Sequence, residues 1–387
     1  MVLLPRPCRL IVPHEIRRRA GSITFCCACV ATQPVFGAEG DWHYGAYLDL
    51  SYAANLGGDR KIDWRSKLTT RNLNAFDPNM GLVYLDKSPS ENSRWGFELG
   101  FQAGNDMDAQ KPAKDQNPIP GADVLTYIAR ANVSYLADVG KGLRLRAGLM
   151  NSFIDFESMY AGNNPNYTRA WMADYSPYFL IGAGGDYQVR DDVSVSFYVL
   201  TDYDYLAFSG KQPKYGSQFK WNLTSHWTLT QNVFLGPEQD NTAMRYWRGF
   251  SDTLLNWRAD DLMVNLAYDV GTEKRAVGGL QSLWMGSAIW TRWHIAGPWS
   301  VALRPEVYWD PDGEMTGSKQ LIAAITTTAE YKLPLGPSNA LLRLEFRHDS
   351  STGPQGGFFN PARNDPQLVP GQNLFFMALI WTIDDTP

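Results

Sequence analysis

The stretch SRWGFELGFQAG, beginning at Ser93, alternates with a period of two. Trp95, Phe97, Leu99, Phe101 and Ala103 fall on one face; Gly96, Glu98, Gly100, Gln102 and Gly104 fall on the other. Only an extended strand sends successive side chains to opposite sides. A one-sided soluble sheet alternates in the same way. What matters is how often the pattern recurs, over what length, and with what connections.

It recurs about sixteen times. Tyr44 to Tyr52, Phe76 to Tyr84, Leu125 to Tyr135 and Leu143 to Leu149 alternate like the first stretch. Eleven more segments reach Thr382, the last four spanning Trp299–Trp309, Leu321–Tyr331, Ala340–Phe346 and Leu374–Thr382. Each is near the ~9–11 residues of a tilted membrane-spanning strand, longer than the usual ~5–6 of soluble strands. Short joins such as DKSPSENS, ADVGKG, VRDD and AGP alternate with long ones, including 55–71, 105–121, 151–176, 236–245 and 349–371. That is a meander with turns at one rim and loops at the other. Ten steps from Trp299 to Trp309, tilted about 40°, rise roughly 25 Å, the height of an outer-membrane apolar band. Trp299 and Trp309 would mark its two edges; Tyr44, Tyr52 and Trp95 are assigned to the same aromatic girdles. The expected fold is all-β: a single transmembrane antiparallel meander β-barrel of about 16 strands over residues 39–387. The apolar face then meets lipid and the wet face is the inside. At this strand number an aqueous lumen is expected.

Residues 1–38 read as an N-terminal export signal, with Arg17, Arg18 and Arg19 ahead of a short apolar run and small residues around Ala38. All four cysteines, Cys8, Cys26, Cys27 and Cys29, lie there. That segment carries five Arg and one Glu, so the rest holds 30 basic and 39 acidic residues, net −9. An acidic mature chain argues against nucleic-acid binding.

SRWGFELGFQAGND, the stretch from GADVLTYIARANVSYL to GLMNSFIDFESMYAGNNPNYTRAW, and the closing LEFRHDSSTGPQGGFFN…QNLFFMALIWTID together resemble the OmpL-like β-barrel porin family of bacterial outer membranes. The resemblance covers essentially the whole mature chain. It implies an outer-membrane location and pore formation rather than a particular substrate. One departure is the ending WTIDDTP, where outer-membrane barrels commonly end in Phe or Trp; Trp381 lies a few residues back.

In general porins the third loop folds into the barrel and narrows it. The corresponding loop here, 151–176, carries Asp155, Glu157 and Arg169, and Arg130, Arg144 and Arg146 stand inward on the two strands before it. These six are the candidate constriction, where fixed charges would set ion selectivity. The competing reading is an exposed loop with arginines paired to ordinary wall carboxylates. Asp49, Glu98, Asp202, Arg304, Glu306 and Arg343 are assigned to the lumen wall, where mixed signs predict only weak cation preference. Catalysis finds little support. The histidines are scattered without metal-ligand spacing, and RHDSS at 347–351 sends adjacent residues to opposite faces, so it forms no triad. No metal or cofactor is expected. The function expected is passive diffusion of small hydrophilic solutes; the alternative is a non-conducting structural or surface-adhesion barrel with loops filling the lumen, and an outer-membrane hydrolase is a third. Outer-membrane lipid is the expected surrounding, and a homo-oligomer stays open.

Overall fold

Sixteen alternating segments give sixteen long strands, joined edge to edge into a cylinder. The computed structural model describes residues 42–112, 119–203, 205–207, 212–238, 242–275, 279–335, 338–364 and 366–384. The export signal expected over 1–38 lies outside the described residues. In chain order the strands are β1 (Trp42–Asn55), β2 (Ile62–Asp63), β3 (Asn72–Leu73), β4 (Ala75–Lys87), β5 (Trp95–Ala103), β6 (Ile128–Ala137), β7 (Leu143–Asn151), β8 (Phe179–Arg190) and β9 (Val193–Leu200). They continue with β10 (Lys214–Asn222), β11 (Trp227–Pro237), β12 (Trp247–Arg258), β13 (Leu262–Lys274), β14 (Gln281–Ala296), β15 (Trp299–Asp310), β16 (Gln320–Leu335), β17 (Ser338–Ser351) and β18 (Gly371–Asp384). All but the short β2–β3 ladder form one closed antiparallel meander, because β1 pairs with both β4 and β18. Closure leaves none of the sixteen barrel strands with an unpaired edge, as lipid requires.

The outer surface is apolar. Trp95, Leu99 and Phe101 are exposed there, while Gln102 is buried inside. Tyr44, Tyr52, Trp95, Trp299 and Trp309 are likewise exposed. At the short-turn rim the aromatics pair: Trp95 with Tyr135 at 4.8 Å between ring centroids, and Trp299 with Tyr331 at 4.7 Å.

Two local readings are corrected. The first concerns Phe76–Tyr84, expected to share one outward face. The register against β1 shifts where Asp49 pairs with Met80 and Leu50 with Pro78, so Asn79 is bulged out of the ladder. A bulge inserts one residue and exchanges the faces. Phe76 therefore points to lipid while Met80 and Leu82 are buried inside, and Val83 and Leu85 take the outer face. Val83→Arg is accordingly expected to destabilise the refolded barrel by about 2–4 kcal/mol, the cost of a cation facing mid-bilayer. A urea midpoint in lipid equal to wild type would place Val83 inside. The second concerns the segment begun at Leu125. Residues Ala122–Tyr127 form a 3-10 turn and β6 begins only at Ile128.

Candidate functional site

The third long connection, residues 152–178, enters the barrel instead of covering its rim. Its base is closed by the Ser152 N–H donating to Tyr178 O at 2.9 Å. Tyr160, Tyr167, Arg169, Trp171 and Met172 are all buried. A short 3-10 turn (Ala161–Asn163) and a single helical turn (Trp171–Asp174) are its only regular structure. A loop with so little regular structure cannot satisfy its own backbone, and every buried N–H and C=O needs a partner. The barrel wall supplies them.

The seat is on β15 and β17. Arg343, Glu345, Arg347 and Asp349 alternate in sign on the inward face of β17, and Arg304 and Glu306 do so on β15. Arg343 donates to the carbonyls of Ala161, Asn164 and Asn166 at 2.7, 2.9 and 3.3 Å. Glu345 accepts the N–H groups of Tyr167 and Thr168 at 2.5 and 2.9 Å. Arg304 donates to Thr168 O at 2.5 Å and to Glu157 at 2.7 Å. Arg347 donates to Arg169 O at 2.9 Å. Glu306 accepts the Trp171 N–H at 2.6 Å, and Asp349 accepts the Trp171 indole N–H at 2.9 Å. From β1, Asp49 accepts the Tyr167 hydroxyl at 2.8 Å.

The first two long connections fold over the same loop. Lys67 lies 2.6 Å from Asp174, both fully buried, with its ammonium 5.4 and 5.1 Å from the Trp64 and Trp171 rings. Burial pulls the Lys67 ammonium below its ordinary value against the opposing charge of Asp174. Burial alone would push Asp174 up. The Lys67 ammonium, with donors from Tyr178 and Leu68, reverses this and holds the carboxyl below the usual range. Arg169 pairs with Asp106 at 2.7 Å, and Asp106 also accepts the Thr70 N–H at 2.7 Å.

The wall residues expected to border water therefore divide. Asp49, Arg304, Glu306 and Arg343 point inward but lie beneath the loop. Asp202 stands just past the end of β9, buried and 2.5 Å from Lys214. Glu98 alone of the six keeps appreciable surface. It belongs to the opposite wall, β4 to β9, with Arg130, Arg144 and Arg146. There Arg130 faces Asp86 at 3.1 Å, Arg144 faces Glu98 at 3.9 Å and Arg146 faces Asp186 at 3.7 Å. These six side chains retain between 11 % (Arg144) and 19 % (Glu98) of their surface. Tyr198 joins the last pair, accepting from Arg146 at 3.0 Å and donating to Asp186 at 2.9 Å.

The six candidate constriction residues are thus not one cluster. Among the described residues no ion pair joins Arg130, Arg144 or Arg146 to Asp155 or Glu157. Glu157 turns to Arg304 and to the Trp290 indole, which donates to it at 2.8 Å. Arg169 lies under the first two loops. The loop approaches the arginine wall through uncharged groups. Phe153 stacks on Tyr198 at 5.5 Å, and the Tyr160 hydroxyl donates to Gln102 at 2.8 Å. Sequence reasoning missed the seat itself and the part of Lys67, Asp106 and Asp349. The signal was present: strict sign alternation at Arg343, Glu345, Arg347 and Asp349 suits an ordered polar partner. His348 points outward, where its Nδ1 lies 2.9 Å from the Asn373 side-chain oxygen, so the RHDSS stretch is split between the two faces.

A closed sixteen-strand barrel with an apolar exterior and an inserted third loop defines the class: a channel-forming barrel of the outer-membrane type. Residues 42–383 match the family model described as "Putative beta-barrel porin-2, OmpL-like", and the chain belongs to this family. It is an outer-membrane channel protein. No curated protein matches the chain in sequence. Among solved structures it is similar to an anion-selective porin from Comamonas acidovorans (TM-score 0.56, 9 % identity, 89 % of this chain and 100 % of that one). It is also similar to the outer-membrane channel DcaP of Acinetobacter baumannii (TM-score 0.54, 8 % identity, 89 % and 96 %). A third is OmpT expressed in the outer membrane of Vibrio cholerae (TM-score 0.55, 9 % identity, 91 % and 100 %). At these identities the likeness is one of fold.

Proposed function

We propose that the chain is a passive diffusion channel for small hydrophilic solutes, with an aperture set by the loop 152–178 and a path along the β4–β9 wall. One observation carries this reading: the loop is lashed to β15 and β17, while the arginine–carboxylate wall opposite keeps its side chains partly accessible. Solutes would be sieved by size between loop and wall and then meet three arginines and three carboxylates in alternation. Charges so balanced give little net field, hence weak ion selectivity. The reading assigns no catalytic step to the chain. Residues 1–38 serve export in this account, and lipid surrounds the barrel; self-association would use the same outer surface.

Arg144→Gln together with Arg146→Gln tests the path. The change would leave Glu98 and Asp186 without their arginines. The reversal potential in a salt gradient is then expected to move toward cation selectivity, and an unchanged potential would remove this wall from the path.

A second reading, a barrel closed by its loops, is favoured by the burial of Arg169, Tyr167 and Trp171 at the centre of the loop. It predicts no conductance from an inserted barrel.

A further inference from the structure

The loop has a second attachment, chemically unlike the first. Gln218 of β10, Asn232 of β11, Asp252 of β12 and Asp269 of β13 stand directly opposite one another on successive strands. Their side chains make a belt across the inner wall. Gln218 donates to Asn232 at 2.9 Å and to Phe153 O of the loop at 3.1 Å. Asn232 donates to one Asp252 oxygen at 2.7 Å, and the Asp155 N–H donates to the same oxygen at 2.8 Å. Asp155 has φ 69°, in the left-handed region that aspartate enters more readily than most non-glycine residues.

Beyond this point the belt lacks a proton. Asp252 and Asp269 are 0 % and 2 % exposed and stand directly opposite each other on adjacent strands, with side chains on the same inner face. The second Asp252 oxygen and both Asp269 oxygens have no donor from the chain. From the far side comes Tyr308 of β15, also buried, with its hydroxyl unpartnered. Gly286 of β14 separates it from Asp269 in the register, and the Tyr308 ring lies so close over that glycine that a Cβ there would stand 3.2 Å from Cδ2. The space a side chain at Gly286 would need is taken by Met172 of the loop, whose Cβ would lie 2.8 Å from it, and by the Tyr308 ring.

The charged groups around the belt are known from each element packed on it. The loop brings Asp155 and Glu157, β12 brings Asp252, β13 brings Asp269 and β15 brings Tyr308. Glu157 is satisfied by Arg304. Arg248 and Glu273, farther along β12 and β13, pair with each other at 2.7 Å. No Lys, Arg or His among the described residues forms an ion pair with Asp155, Asp252 or Asp269. Two buried carboxylates directly opposite each other on adjacent strands, with no cation, cannot both stay ionised.

We propose that Asp252 and Asp269 share one proton, and that this proton latches the 152–155 arm of the loop to β12 and β13. Loss of the proton at alkaline pH places two like charges side by side beneath the Asp155 N–H and frees the arm. Asp155 works in the same direction. Burial first, then the charges of Asp252 and Glu157, push its carboxyl well above the ordinary carboxylate range. A carboxyl raised on folding supports the folded attachment at low pH and withdraws that support as pH rises through its raised value. The latch therefore opens toward high pH. Its consequence for conduction rests on the aperture reading above.

The test compares wild type with Asp269→Asn, which cannot ionise, in the refolded full barrel at matched pH. Hydrogen–deuterium exchange of the Asp155 and Phe156 amides reads the latch directly, and bilayer conductance reads its consequence. At alkaline pH the wild-type amides are expected to exchange about tenfold faster than those of the variant, the population change of one unit of pKa mismatch. At acidic pH the two should coincide. Equal exchange at every pH would overturn the proposal. So would exchange that responds to calcium or a chelator in place of pH, which would put a bound cation where the proton is proposed. Exchange that behaves as expected in a barrel that never conducts would keep the latch and sink the aperture reading.

Discussion

Glu345→Ala is expected to release the loop and raise the single-channel conductance. The carboxylate accepts the N–H groups of Tyr167 and Thr168 and also the hydroxyls of Thr168 and Thr328. All of these groups are buried. Each donor stranded in a dry interior costs about 1–3 kcal/mol. Two stranded backbone donors alone shift the seated–released balance by more than tenfold, since ~1.4 kcal/mol is a factor of ten. The released loop has water to satisfy its backbone, so the balance moves toward a wider aperture. Glu345→Gln separates charge from hydrogen bonding: it keeps one acceptor oxygen and should give an intermediate conductance. Thr328→Val removes one hydroxyl donor to Glu345 and also the acceptor of the buried Asn166 amide at 2.8 Å, so it should raise the conductance, though less than Glu345→Ala. A conductance indifferent to Glu345→Ala would mean that the loop does not define the aperture.

Lys67→Met is expected to weaken the join between the first and third loops by about 3–5 kcal/mol. That is the usual consequence of leaving one member of a buried ion pair without its partner. Asp174 would keep its bonds from Leu68, Thr69 and Tyr178 and lose the Lys67 ammonium beside it. The pH dependence identifies the cause. In wild type the Asp174 carboxyl is held below the usual range, so its contribution is complete above that range and lost as pH falls through the depressed value. In the variant only the donors from Leu68, Thr69 and Tyr178 are left to oppose burial; burial outweighs them and the carboxyl rises, so acid stabilises the join instead of weakening it. The urea midpoint of the refolded barrel, followed from acid to neutral pH, should therefore slope in opposite senses in the two proteins. Lys67→Met with Asp174→Asn should recover part of the loss. Parallel slopes would show that the pair contributes nothing.

These effects arise in a region the sequence describes only in part. The barrel was legible because lipid imposes one rule on every strand: Trp95, Leu99 and Phe101 must face out, and the next strand must obey the same rule. Repetition averages away local error. Where a single local event decided the outcome, alternation misled. One bulged residue at Asn79 exchanged the faces of Met80 and Val83, and a 3-10 turn absorbed Leu125–Tyr127. The position of the third loop was legible from its place in the meander. Its partners were not, because Glu345 and Tyr167 are 178 residues apart and meet only when the cylinder has closed. The arginines of β6 and β7 looked like partners for Asp155 and Glu157, being near in sequence. The wall gave them closer carboxylates in Asp86, Glu98 and Asp186.

The central claim is that the inserted loop narrows a conducting barrel without sealing it. Planar-bilayer recording of the refolded chain 39–387 tests it most directly. Discrete, salt-dependent steps of small and uniform size are predicted, because the loop is held in place by many buried bonds to the barrel. No steps from a barrel shown by its heat-resistant mobility and strand content to have folded and inserted would contradict the account and make the loop a plug.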